Sequence, residues 1–174
     1  TLEWLPQETI FFDNAHVELD HNVALAKDST YIGCEIFCFG RTAFGESFNG
    51  GRIRQQVNIR RDEQLLWHEQ LNLVGGGMGM KNPLVLADKT VCATLIAVSD
   101  AAHTNDLINT LREDANTVAN GSGHLGISQV KSVLVARYLG DSSEVARKVM
   151  MKIWGRLRPA ILGRNAEVPR MWNT

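Results

Sequence analysis

The chain has 174 residues, 44% of them hydrophobic and 21% charged, which is enough for a globular core and excludes disorder as its main state. Lysine and arginine number 18 against 19 aspartates and glutamates, so neither sign builds a field that would draw the protein onto a nucleic acid or an anionic membrane. No apolar run nears the roughly 20 residues that span a bilayer, and the first residues lack a signal peptide's basic start, so a soluble, cytoplasmic protein is expected.

Through residues 1–100 the pattern has period two. In 31–39 one face carries Ile32, Cys34, Ile36 and Cys38 and the other Tyr31, Gly33, Glu35, Phe37 and Phe39, a strand covered on both sides. In 52–60 Ile53, Val57 and Ile59 alternate with Arg52, Arg54, Gln56, Asn58 and Arg60, the pattern of a half-exposed strand. The polar cluster 61–64 then turns the chain into 65–74, the returning arm of a hairpin. Four glycines and a proline in 74–83 predict a mobile loop without regular structure. Strands are predicted at 90–98 and 130–139. Helices are predicted at 100–116, capped by Thr104, and at 142–158, capped by Ser142 or Ser143 and stopped by Pro159. These elements describe one α+β domain over 1–174, mainly β, with two α-helices and layered antiparallel or mixed sheets.

Sequence motifs for chemistry are few. Gly121-Ser122-Gly123-His124-Leu125-Gly126 spells the dinucleotide fingerprint, but a helix precedes it and a strand follows, the reverse of the order a pyrophosphate site needs, so a helix-to-strand loop is expected. Residues 75–81 lack the spacing of a phosphate-binding loop. No serine sits in a nucleophile elbow, and His16, His21, His68, His103 and His124 have no metal-site spacing. Cys34, Cys38 and Cys92, an odd number in apolar strand segments, read as reduced core residues. Met78 and Met80 read as cover for apolar surface, with soft metal ligation the alternative.

Two carboxylates stand on apolar faces. Glu69 shares its face with Trp67, Leu71 and Leu73, and Glu35 shares its face with Gly33 and Phe37. A buried carboxylate without a partner costs several kcal/mol, so each needs an arginine, a metal ion or water in an internal passage. Arg137, on the same strand face as Val133, Val135 and Leu139, is the candidate for a structural ion pair. His68 adjoins Glu69 but projects to the opposite face unless the strand is bulged. A hydrolase using Glu35 and Glu69 as an acid/base pair, and an interaction domain whose carboxylates are simply ion-paired, are the alternatives.

Four ordered blocks resemble one family: residues 1–12, residues 38–48 with Cys38-Phe39-Gly40-Arg41, residues 135–141 with Val135-Ala136-Arg137-Tyr138-Leu139-Gly140-Asp141, and the ending Arg158-Pro159 with Pro169-Arg170-Met171-Trp172-Asn173-Thr174. Together they resemble the urease accessory protein UreD family, called UreH in some organisms. The resemblance implies a non-enzymatic assembly factor that binds apo-urease, UreF and UreG and helps deliver nickel, with no tightly bound cofactor and nickel only in transit. It implies that Glu35, Glu69 and His68 lie along a transient nickel path. It also implies that Trp154, Leu157, Arg158, Arg170 and Trp172 form a partner-binding region, with UreF as the contact. The blocks correspond to the family's C-terminal two-thirds, so a further N-terminal part with several strands is expected.

Overall fold

The computed structural model describes residues 1–100 and 104–168. Among these described residues nine strands and three α-helices follow in the order β1 (Leu2–Trp4), β2 (Thr9–Phe11), β3 (His16–Leu25), β4 (Tyr31–Phe39), β5 (Arg52–Arg61), β6 (Gln64–Val74), α1 (Met78–Lys81), β7 (Val91–Val98), α2 (Asn105–Ala119), β8 (His124–Val130), β9 (Val133–Gly140) and α3 (Ser143–Leu162). The fold is α+β and mostly strand.

The strands form two sheets. The larger runs β1-β4-β7-β9-β8, with β2 also on β4, and the smaller runs β3-β5-β6. Pairing is mixed: β1 and β2 lie parallel to β4, and β3 lies parallel to β5, while the remaining pairs are antiparallel. The two faces of β4 read as the alternation predicts. Ile32, Cys34, Ile36 and Cys38 join a core under α2 and α3, with Leu111, Met150, Ile153, Trp154 and Leu157. Tyr31, Phe37 and Phe39 face the smaller sheet in two separate apolar clusters. The molecule is therefore three layers deep, with the larger sheet in the middle.

The turn between β5 and β6 is made by Asp62 and Glu63, both at positive φ, as the polar cluster predicts. Thr104 and Ser142 cap α2 and α3 by accepting the backbone N–H of Leu107 and Val145.

Four expectations are corrected. The segment 74–83 contains a one-turn helix, α1, because Met80 packs on the apolar cluster around Leu73. The glycine motif is a loop only through Gly123; His124, Leu125 and Gly126 belong to β8, which pairs with β9 through a turn at Lys131. That turn escapes sequence reading because Lys131, neither glycine nor asparagine, takes the positive φ. Pro159 does not end α3, which runs to Leu162 and closes on Gly163 at positive φ. A proline in the last turn forfeits one intrahelical bond, to Gly155, and the packed face of α3 outweighs that loss.

The fourth correction concerns the partner-binding region. Trp154 and Leu157 are buried, and Arg158 is bound internally. The Trp154 indole donates to Glu3 Oε2 at 2.7 Å, and Arg158 Nε donates to both oxygens of Glu3 at 3.0 and 3.1 Å. Arg147 grips Glu8 in the same way. These clamps fasten residues 3 and 8 to α3, so this helix face is spent on the chain's own core. Arg170 and Trp172 lie outside the described residues.

Burial pushes the Glu8 carboxyl upward, and the hydrogen bonds and charge of Arg147 outweigh it, leaving the group below the ordinary carboxylate range. Its contribution to stability is therefore present at neutral pH and is lost as pH falls through that depressed value. Leu157→Ala is expected to lower unfolding free energy by roughly 2 to 5 kcal/mol in urea titration. Glu8→Gln is expected to cost roughly 1.5 to 3 kcal/mol at neutral pH, with a difference from the parent chain that shrinks in acid.

Candidate functional site

The layer between the two sheets is interrupted by polar side chains. One apolar cluster gathers Val23, Ile59, Ile96 and Val135, and the other gathers Phe11, Phe39, Ile53 and Leu73. Between them the register places a polar row on each sheet. Across the larger sheet Glu35 stands opposite Thr94, Thr94 opposite Arg137, and Arg137 opposite Gly126. Across the smaller sheet His21 and Glu69 flank Val57, and Gln55 follows one inward position along β5. The rows enclose a cavity of about 410 Å³ that both carboxylates line.

Glu35 is held from two sides. His21 Nδ1 lies 3.5 Å from Glu35 Oε1, and the Gln55 amide donates to Glu35 Oε2. The other imidazole nitrogen, Nε2, is 3.0 Å from the Tyr31 hydroxyl. Gly33 makes this possible, because a Cβ there would overlap the Tyr31 hydroxyl, which lies over it. Beside Glu35 the edge of β4 changes neighbour: β1 pairs at Tyr31 to Gly33 and β2 at Phe37 to Phe39, with Pro6 in the segment that joins them.

Arg137 Nη2 forms an ion pair with Glu69 Oε1 at 2.9 Å, and Glu69 Oε2 accepts from the Trp67 indole at 3.3 Å. Arg137 is thus the cation that meets Glu69. His68 is corrected. The irregularity in the β5–β6 pairing falls at Ile59 and Arg60, away from Glu69, so His68 stays on the outer face and bonds Asn58 at 2.7 Å. Alongside His124 on the cavity wall, the imidazole that meets Glu35 is that of His21. Sequence reading missed it and Gln55, although both occupy inward positions of alternating strands, between Leu19 and Val23 and between Ile53 and Val57.

Cys92 lines the cavity rather than the helix-side core, where Cys34 lies. Burial, then the charge of Glu69, pushes the Cys92 thiol up to about 12, and burial followed by Glu35 does the same for Cys34. The cavity's thiol is therefore protonated at neutral pH. Among the described residues, no three of histidine, cysteine, aspartate and glutamate converge as a metal cluster. Met78 is exposed and Met80 is taken up in packing.

The site thus defines a protein with a charged internal cavity between sheets. The chain matches the family model described as UreD urease accessory protein over residues 1–173. It is 56% identical to the urease accessory protein UreD of Nitrosospira multiformis over 99% of this chain and 62% of that protein. It is 55% identical to that of Janthinobacterium over 99% of this chain and 58% of the relative, and 43% identical to that of Dechloromonas aromatica over 100% and 60%. The chain belongs to the UreD urease accessory protein family, and it spans about three-fifths of these relatives' lengths. The relatives are named as accessory proteins, not as ureases. No helix among the described residues is long and apolar enough to cross a membrane.

With the thiols held protonated, the folded chain is expected to react with a disulfide probe at neutral pH far more slowly than the urea-denatured chain. Reaction at Cys92 should accelerate only as pH rises toward about 12. Thiol counting by absorbance, with and without denaturant, checks this.

Proposed function

We propose that this chain serves urease maturation as a non-enzymatic assembly factor that binds apo-urease, UreF and UreG and passes nickel through the cavity between its sheets. The observation that carries the reading is the pair of inward carboxylates, Glu35 and Glu69, lining one cavity in a UreD family member. A divalent ion leaves bulk water only where negative charge offsets its lost hydration, and Glu35 and Glu69 supply such charge. Carboxylate with imidazole suits nickel better than magnesium or calcium, which prefer all-oxygen sites.

The site is sparse for a store. His21 and Glu35 offer two donors, so an ion there keeps most of its water and exchanges readily, as transit requires. Nickel on this reading is cargo, not a resident cofactor, and the fold acts in the cytoplasm. The Glu69–Arg137 ion pair supports a second reading, in which Glu69 serves structure alone.

One experiment separates the two. Glu35→Gln and Glu69→Gln each keep shape and remove charge. In complexes assembled with urease, UreF and UreG, transit predicts normal complex yield and a roughly tenfold loss of nickel-dependent urease activation. Joint loss of thermal stability and assembly in Glu69→Gln would support the structural role for that residue. Full activation in assembled complexes of both variants would overturn transit.

A further inference from the structure

Arg137 is bound unlike the other arginines that hold inward carboxylates. Arg147 meets Glu8 with two nitrogens, and Arg158 reaches both oxygens of Glu3. Their side chains are 26% and 21% exposed. Arg137 meets Glu69 through Nη2, and its side chain is 53% exposed against 21% for Glu69. The carboxylate sits inside while the arginine straddles the rim. Such a half-solvated pair is weakly held, because water competes for the guanidinium.

The surroundings provide room for the arginine to leave. Its register neighbour on β8, a strand at the sheet edge, is Gly126. A Cβ at Gly126 would meet nothing within 4 Å, so the cavity wall is open at the register position next to Arg137. When Arg137 withdraws, Glu69 retains the indole N–H of Trp67 and keeps an oxygen free for a new cation.

We propose that Arg137 is a tethered cation that occupies the place of a divalent ion at Glu69, so that this carboxylate has two alternative occupants and Gly126 gives the guanidinium its way out. The inference rests on the transit reading. Two cations cannot share one carboxylate in a cavity without strong repulsion, so arrival of the ion and departure of the arginine are one exchange. A singly charged ion gains no electrostatic advantage over the guanidinium it must replace. A doubly charged ion does, and Arg137 thereby favours dications over sodium or potassium.

The test titrates Ni²⁺ alone into the full chain by calorimetry, with thermal melts to verify folding. If the arginine holds Glu69 about nine-tenths of the time, Arg137→Gln is expected to tighten Ni²⁺ binding roughly tenfold. The gain should vanish in the Arg137→Gln, Glu69→Gln double variant, and Arg137→Lys should stay within about twofold of the parent chain. A merely structural role for Arg137 predicts no tightening. Unchanged or weaker binding in Arg137→Gln, or a gain that survives Glu69→Gln, overturns the proposal. If Arg137→Gln does not melt cooperatively, Gly126→Val fills the open space while keeping both charges. It is expected to weaken Ni²⁺ binding, and unchanged binding overturns the proposal. Impaired Ni²⁺ binding in Glu35→Gln alongside a neutral Arg137→Gln removes the exchange and leaves transit standing. Neutrality of both, with normal urease activation, removes both.

Discussion

Charge compensation in the layer between the sheets governs this molecule. Glu35 and Glu69 project from inward strand positions, where an unpaired carboxylate would cost several kcal/mol. The fold meets that cost with side chains drawn from both sheets: His21 and Gln55 from the smaller sheet for Glu35, and Arg137 from the larger sheet for Glu69. Each carboxylate is thus answered across the layer, with Trp67 of β6 adding one bond to Glu69 from its own strand. The register of the two sheets is tied to this pairing, since a one-residue slip of β5 or β6 would turn Gln55 or Glu69 outward to solvent. The cavity follows from the same arrangement, because side chains that bond one another across the gap do not fill it as Leu and Ile fill the clusters on either side.

The helix layer has a different task. α3 buries Ile153, Trp154 and Leu157 against the larger sheet and presents Arg147 and Arg158 to the two short N-terminal strands. Those strands are three residues each and add little pairing of their own. Glu3 and Glu8 hold them in place, which keeps the change of neighbour along β4 beside Glu35. Trp154, Leu157 and Arg158, which the resemblance marks for partner contact, therefore also brace the molecule internally, and they bear on the site by fixing the strand edge next to it.

Much of the architecture is legible in the residues. The two faces of β4, the β5–β6 hairpin and the caps at Thr104 and Ser142 follow from alternation and turn chemistry, because each is a local rule. So is the misplacement of Glu35 and Glu69, since a carboxylate among Trp67, Leu71 and Leu73 breaks the pattern that surrounds it. What escaped reading depends on nonlocal geometry. His21 and Gln55 become partners of Glu35 only when β3 and β5 lie over β4, and their polar character blends with the exposed residues around them. His68 is adjacent to Glu69 in sequence, yet adjacency in a strand means opposite faces. The β8–β9 turn and the continuation of α3 through Pro159 reflect packing that overrides the preferences of single residues.

Nickel transit through this chain depends on where a divalent ion goes when it meets the cavity. Anomalous diffraction at the nickel absorption edge, from crystals soaked briefly in Ni²⁺, locates the metal without reference to activity. Transit predicts anomalous density inside the cavity beside Glu35 and His21, with the Arg137 guanidinium displaced from Glu69 where a second peak appears. Density confined to the outer surface, at His68 or His16 with the cavity side chains unmoved, would contradict it.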